Sequence, residues 1–235
     1  MDTNLKPYFS ITIPTYGYNG KGSEFLEFSF NKLKSQTFKD FNVIISDHSV
    51  DDTIKEICDK WSEQLPIVYI RNEKGRGIIS PNINVAMKNA NGKWIKILFQ
   101  DDFLYDEKSL QFQHDFIENN SNVSWFVTTF VHSNDGHNFY RYYIPRWHNL
   151  IWTGDNTMGC PSGITLKNED IIYFDEELNW LMDCDFYTKM SNKFGPPQIL
   201  PAVTVVNRTW GNRLTDTIQQ ELKDKEFQML KLRYA

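Results

Sequence analysis

The chain has 235 residues, 40% hydrophobic and 15% aromatic, which is enough apolar material for one large α/β domain with a sizeable core. Its 25 basic and 30 acidic residues leave a net charge of −5, which excludes a protein that coats nucleic acid by charge alone. Three scattered cysteines, Cys58, Cys160 and Cys184, form no CxxC pair; they exclude a disulfide framework and a zinc site and point to a reducing, cytoplasmic setting. The start, "MDTNLKPYFSITIPTYG", lacks a basic region followed by a long apolar stretch, so no signal peptide is expected. No apolar run approaches the roughly 20 residues of a membrane span, and a soluble protein is expected.

The first half alternates between two periodicities. "YFSITIPTY" (8–16) is short, apolar and β-branched and predicts a buried strand. "SEFLEFSFNKLKSQ" (23–36) places Phe25, Leu26, Phe28, Ser29 and Leu33 on one helical face. "FNVIISD" (41–47) predicts the second strand, and "DDTIKEICDKWSEQ" (51–64) a helix capped by Asp51 or Asp52. "IVYIRN" (67–72) is a third strand, "ISPNINVAMKNANG" (79–92) a helix ended by Gly92, and "KWIKILFQDD" (93–102) a fourth strand. Strands alternating with helices predict βαβ units and a mostly parallel sheet.

Such a sheet binds ligands at the carboxyl ends of its strands. Pro14, Thr15, Tyr16, Asp47, Asn72, Asp101 and Asp102 all stand where a predicted strand runs out, so one rim gathers them. Two adjacent aspartates at the end of a core strand repel unless a positive charge answers them. Alone, they read equally as an exposed acidic turn or as a cation site.

The second half is less regular. It predicts a helix at 109–120, a strand at 123–133, a hairpin turn at "NDG" (134–136) and the aromatic-rich "HNFYRYYIPRWHNLIW" (137–152). Tyr140, Tyr142, Tyr143, Trp147 and Trp152 form either a stacking platform for ring-shaped ligands or a strand pair packed on the sheet; Arg141, Arg146 and His148 add positive charge. "MGCPSGITLKNEDI" (158–171) is a small-residue turn leading into a strand. "NWLMDCDFYTKMSNKFG" (179–195) is a helix ended by Gly195, "QILPAVTVVNRTW" (198–210) a late strand, and "TDTIQQELKDKEFQMLKLR" (215–233) a terminal helix expected to dock on the core, with a membrane-surface helix as the lesser alternative. No repeat, low-complexity segment or linker divides the chain.

The order "SITIPTY", "IISDHSVDDT", "NINVAMKNANGKWIKILFQDD" and "WLMDCDFYTKM" resembles family 2 of the inverting, nucleotide-sugar-dependent glycosyltransferases, over roughly residues 8–195. The resemblance implies a GT-A fold, a Rossmann-like, mostly parallel sheet flanked by helices with a smaller irregular acceptor-side region. It also implies one domain over 1–235, with a nucleotide-sugar half (1–103) and an acceptor and catalytic-base half (104–235). Pro14, Thr15 and Tyr16 match the segment that touches the base and ribose, and Asp47 matches the aspartate that accepts the uracil imide proton. Ser46 and His48 depart from the family's neighbouring aspartate and glycine. Arg76 stands in the basic turn that faces the diphosphate.

"FQDD" is similar to the family's Asp-x-Asp element, with Gln100 in the first place; Asp101 then faces the ribose or the water shell of the ion, and Asp102 is the direct ligand of Mn2+ or Mg2+. Asp183 matches the general base, with Met182 in place of a glutamate, while Asp185 reads as a packing carboxylate. Trp210 stands where many members carry a histidine that also binds the metal. The implied function is transfer of a sugar from a nucleoside diphosphate donor, UDP-linked, to a hydroxyl of a glycan or other acceptor. Net charge does not support a nucleic-acid acceptor. A sugar nucleotidyltransferase, suggested by the glycines and Lys21 of "PTYGYNGKGSE", and a non-catalytic carbohydrate- or nucleotide-binding module are the competing readings.

Overall fold

The computed structural model describes residues 6–211 and 218–235. Residues 215–217, the expected start of the terminal helix, lie outside the described residues. Among the described residues nine strands form one sheet: β1 (Phe9–Thr15), β2 (Phe41–Asp47), β3 (Ile67–Arg71), β4 (Trp94–Ile97), β5 (Phe103–Leu104), β6 (Trp125–Ser133), β7 (Phe139–Tyr143), β8 (Ile164–Lys167) and β9 (Gln198–Arg208). The helices are α1 (Lys21–Lys34), α2 (Thr53–Trp61), α3 (Ile79–Lys88), α4 (Ser109–Glu118), α5 (Met182–Phe194) and α6 (Gln220–Tyr234).

Strand order is β3-β2-β1-β4-β8-β6-β9-β5, with β7 paired to β6. The first four strands are parallel, and Phe9 of β1 faces Phe41 on one side and Trp94 on the other. Every residue of β1 is buried, as expected for a strand with neighbours on both edges and helices on both faces. Beyond β4 the sheet turns antiparallel through β8, and β9 returns parallel to β6.

Two apolar layers cover the sheet. Leu26, Phe30 and Leu33 of α1 pack with Ile54 and Trp61 of α2 and Leu110 of α4 in one. Ile83 and Met87 of α3, Phe186 and Met190 of α5 and Leu230 of α6 pack in the other. The terminal helix therefore docks on the core. No helix among the described residues is long and apolar enough to cross a membrane.

The predicted fourth strand over 93–102 ends early, at Ile97. Leu98 still donates to Thr12 O at 3.0 Å, but the Phe99 amide takes Ser162 Oγ at 2.9 Å and the chain turns. The two aspartates consequently sit in a turn between β4 and β5 rather than on a strand. Gln100 spans the gap to the loop after β1: its Oε1 accepts the Tyr16 amide and its Nε2 donates to Gly22 O, both at 2.7 Å. That loop is tightly wound. Tyr18, Asn19 and Gly20 all have positive φ, and a Cβ on Gly22 would lie 2.0 Å from Tyr16 O.

Candidate active site

A cavity of about 520 Å³ opens at the carboxyl ends of β1 and β4. Its walls come from five places: Pro14–Tyr16 after β1, Ile79 and Asn82 of α3, the turn 99–102, the turn around Gly159–Pro161, and the start of α5 with Trp180 and Asp183. Arg208 and Trp210 close the remaining side. Of the expected site residues, Pro14, Thr15, Tyr16, Asp101, Asp102 and Asp183 line this one cavity; Asp47 and Arg76 do not.

Asp47 is fully buried behind Thr15. Its Oδ2 accepts the Tyr69 hydroxyl at 2.7 Å, and its Oδ1 accepts the Ser49 amide at 2.9 Å and the Thr15 hydroxyl at 3.2 Å. In place of Asp47, the neighbouring His48 reaches the wall. Burial lowers the pKa of His48, favouring the neutral ring. Arg76 approaches Glu73 at 3.5 Å, while its neighbours Gly77 and Ile78 line the cavity.

The two adjacent aspartates divide their work. Asp102 is 2% exposed. Its Oδ2 accepts Ser162 Oγ at 2.5 Å, and its Oδ1 accepts Asn207 Nδ2 at 3.0 Å and the Arg208 amide at 2.9 Å. Burial and the charge of Asp101 push its carboxyl up, and these three donors oppose the rise. The Ser162 carbonyl in turn receives Nζ of the fully buried Lys96, whose ammonium burial pulls down to about 7. Asp102 is thus spoken for by the protein, which does not fit its expected place as the direct ligand of an ion. Asp101 is half-buried, and its Oδ2 accepts the Trp210 indole N–H at 2.9 Å. Trp210 wedges edge-on between Tyr18 and Phe25, with ring centroids at 5.6 and 5.1 Å.

Asp183 lies in the first turn of α5. Its Oδ1 accepts the Cys184 amide at 2.7 Å, and its Oδ2 accepts Nδ2 of Asn156 at 2.6 Å. Burial pushes its carboxyl up to about 6, against those donors. Asp185 points the other way, to Arg233 at 2.6 Å and the Tyr234 hydroxyl at 2.7 Å on α6, and packs as expected.

Three residues important to the site are not singled out by the sequence patterns. Asn156 and Ser162 bracket the small-residue turn, and the spacing of Asn156 three residues before Gly159 is the one available sign of a side-chain-closed turn. Arg208 is hidden because its guanidinium is caged by Phe25, Phe28 and Phe103, at 4.9, 4.9 and 5.1 Å, and no local pattern announces such a contact. The aromatic segment splits. Tyr140 and Tyr142 are exposed, whereas Tyr143 stacks on Phe130 at 4.8 Å and Trp152 on Phe227 at 6.3 Å.

The family model described as Glycosyl transferase family 2 matches residues 10–179. The chain is 31% identical over 112 residues to an uncharacterized glycosyltransferase of Rickettsia felis, a match spanning 48% of this chain and 17% of that protein. It is 29% identical over 101 residues to the poly(ribitol-phosphate) beta-N-acetylglucosaminyltransferase TarS of Staphylococcus aureus, spanning 42% of this chain and 17% of TarS. These curated relatives are therefore several times longer than the part matched.

The crystal structure of S. aureus TarS 1-349 in complex with UDP-GlcNAc superposes with a TM-score of 0.70 at 18% identity, covering 97% of this chain and 66% of that one. The mannosyltransferase PcManGT from Pyrobaculum calidifontis, in complex with GDP-Man and Mn2+, gives 0.64 at 16% identity, covering 89% and 59%. The fold they share with this chain is GT-A.

Proposed function

The chain belongs to glycosyl transferase family 2, and from that premise we propose that it moves a sugar from a UDP-linked donor to an acceptor hydroxyl with inversion at the anomeric carbon. One observation carries the reading: Asp101 and Asp183, carboxylates from opposite halves of the chain, line one cavity at the carboxyl ends of a parallel sheet. The TarS structure that holds UDP-GlcNAc supports the choice of nucleotide.

The cavity's charges support a cation. Among the described residues its lining includes the carboxyls of Asp101 and Asp183 and the guanidinium of Arg208, and a cation would screen an entering diphosphate from the two carboxylates. Among the described residues no three His, Cys, Asp or Glu side chains cluster tightly enough to hold an ion by themselves. That suits Mg2+ or Mn2+, which accept one or two carboxylates and complete their shell with water and phosphate oxygens. When bound, the ion supplies charge neutralisation of the leaving nucleoside diphosphate. Asp101 takes the ion-facing role in this proposal, and Asp102 supports the turn.

Asp183 accepts the proton of the acceptor hydroxyl as that oxygen attacks the anomeric carbon and the diphosphate leaves. A carboxyl near 6 suits a general base, being ionised at neutral pH yet basic enough to take the proton. Pro14, Thr15, Tyr16 and His48 wall the nucleotide end, with Asp47 ordering the turn behind them. Residues 137–154 contain Arg141, Arg146, His137 and His148 and no carboxylate. With Tyr140 and Tyr142 exposed beside them, this strip supports an acceptor that carries phosphate, in keeping with the substrate named for TarS.

A thermal-shift panel of nucleotide sugars, each with and without Mn2+, tests the proposal. A metal-dependent rise for one UDP-sugar is expected, followed by release of free UDP on turnover. Stabilisation by no donor, or pyrophosphate as the product, overturns it.

A further inference from the structure

Asp183 is gripped by a side chain outside its own helix. Asn156 donates from Nδ2 to Asp183 Oδ2 at 2.6 Å and to Gly159 O at 3.0 Å. Its Oδ1 accepts the Met158 and Gly159 amides at 3.1 and 2.8 Å. These four bonds use the whole capacity of a carboxamide and fix its orientation, since a flipped oxygen would face a carboxylate and a carbonyl.

The turn carrying Asn156 is itself anchored. The Tyr143 hydroxyl donates to Asn156 O at 3.2 Å and the Tyr187 hydroxyl to Gly159 O at 3.1 Å. Gly159 has φ of +84°, and a Cβ there would lie 2.3 Å from the Phe130 ring. A donor held this rigidly imposes its geometry on the group that accepts from it.

We propose that Asn156 is the positioning residue of the catalytic base: its N–H pins one oxygen of Asp183 and fixes the carboxylate plane in the cavity wall. This rests on the reading of Asp183 as the base.

The electrostatics agree. Burial drives the Asp183 carboxyl up to about 6 even with the Asn156 and Cys184 donors opposing it. Removing one of them lets it climb into the working pH range. The ionisable neighbours are Cys184 and Tyr187 on α5, Cys160 and Tyr143 on the facing segments, and Asp155 beyond. Burial pushes those thiols and phenols up, so they stay neutral from pH 5 to 8. Asp185 is paired with Arg233, and His148 contacts Asp155 rather than Asp183.

Two variants separate positioning from folding. Asn156→Asp keeps the oxygen that accepts the Met158 and Gly159 amides, and so keeps the turn, but replaces the donor by a second carboxylate. Asn156→Ala removes both. The acidic limb of kcat/KM is expected to move up by about one pH unit in Asn156→Ala and further in Asn156→Asp, a loss of roughly tenfold at pH 5. Donor KM should stay unchanged, and Asn156→Asp should melt below the wild type at neutral pH, where two carboxylates meet, and approach it at acidic pH, where the pair holds a proton.

If Asn156 only shapes the turn, Asn156→Asp keeps the wild-type pH profile, and the inference is overturned. A titration by carbon-13 NMR of the Asp183 carboxyl, identified by its loss in Asp183→Asn, tests the same contact without turnover. A higher pKa in Asn156→Asp supports the contact and an unmoved one overturns it. Absence of transferase activity in the wild type would instead strike the reading of Asp183 as base, so the two failures are distinguishable.

Discussion

Position 101 lines the cavity with a half-buried carboxylate that accepts the Trp210 indole N–H, while position 102 is buried with both oxygens on Ser162, Asn207 and the Arg208 amide. Substituting the two should therefore have opposite signatures. Asp101→Asn is expected to weaken the Mn2+-dependent stabilisation by UDP at least about tenfold, the effect of losing a charged ligand. Asp102→Asn is expected to cost about 2 kcal/mol in urea unfolding, because a buried hydrogen-bonded acceptor is lost and the new amide meets donors. The reverse pattern would return the ion to Asp102.

The pH dependence belongs to the same scale. Asp183 has a folded-state carboxyl pKa of about 6 against an ordinary value of 3.8. Transfer should accordingly rise with pH through about 6 and level above it. Stability runs the other way. Between the two values the native state holds a proton that the unfolded chain has released, so this group's contribution declines as pH rises to about 6. In Asp183→Asn that part of the slope should vanish from unfolding curves measured over pH 4 to 7.

Among the elements, α5 depends on α6. Glu226, 1% exposed, accepts the amides of Asn179, Trp180 and Leu181 at 2.9, 2.9 and 2.8 Å, which satisfies the amides of the turn that opens α5 and seats an anion where the helix dipole favours one. Glu226→Ala leaves those buried donors unmet. Equilibrium unfolding should show a loss of at least about 2 kcal/mol, with kcat falling as Asp183 loses its fixed helix start. An unchanged midpoint would mean that α6 is dispensable to the site.

The periodicity of the chain marks the helices and strands of the first half in order, the first three strands to within one residue and the helix ends to within about four, because each buries a continuous apolar face. It does not mark the end of β4. The run 93–102 is apolar enough for a strand, but Ser162, 63 residues away, captures the Phe99 amide and turns the chain. Gln100 departs from the family's acidic element for a reason that only the fold reveals. Its amide both accepts from Tyr16 and donates to Gly22 O, which no carboxylate can do. Gln100→Glu should loosen the loop after β1 and lower donor affinity; equal affinity by calorimetry would show that the clamp is idle.

Across the whole molecule, sheet order brings residues from both halves to one rim: β1 and β4 deliver Thr15 and Asp101, while α5, reached through β8, delivers Asp183. The order of motifs makes that rim legible, since strand ends in a parallel sheet must converge. What stays hidden, from Asn156 to Arg208, are contacts between segments tens of residues apart, which no local pattern encodes. A crystal structure of the protein soaked with Mn2+ and UDP tests the central claim most directly. The account predicts an ion held by Asp101 and by the diphosphate, with the nucleotide against Thr15 and His48 and Asp183 facing the space beyond the β-phosphate. Nucleotide bound away from this cavity, or an ion that ignores Asp101, would contradict it.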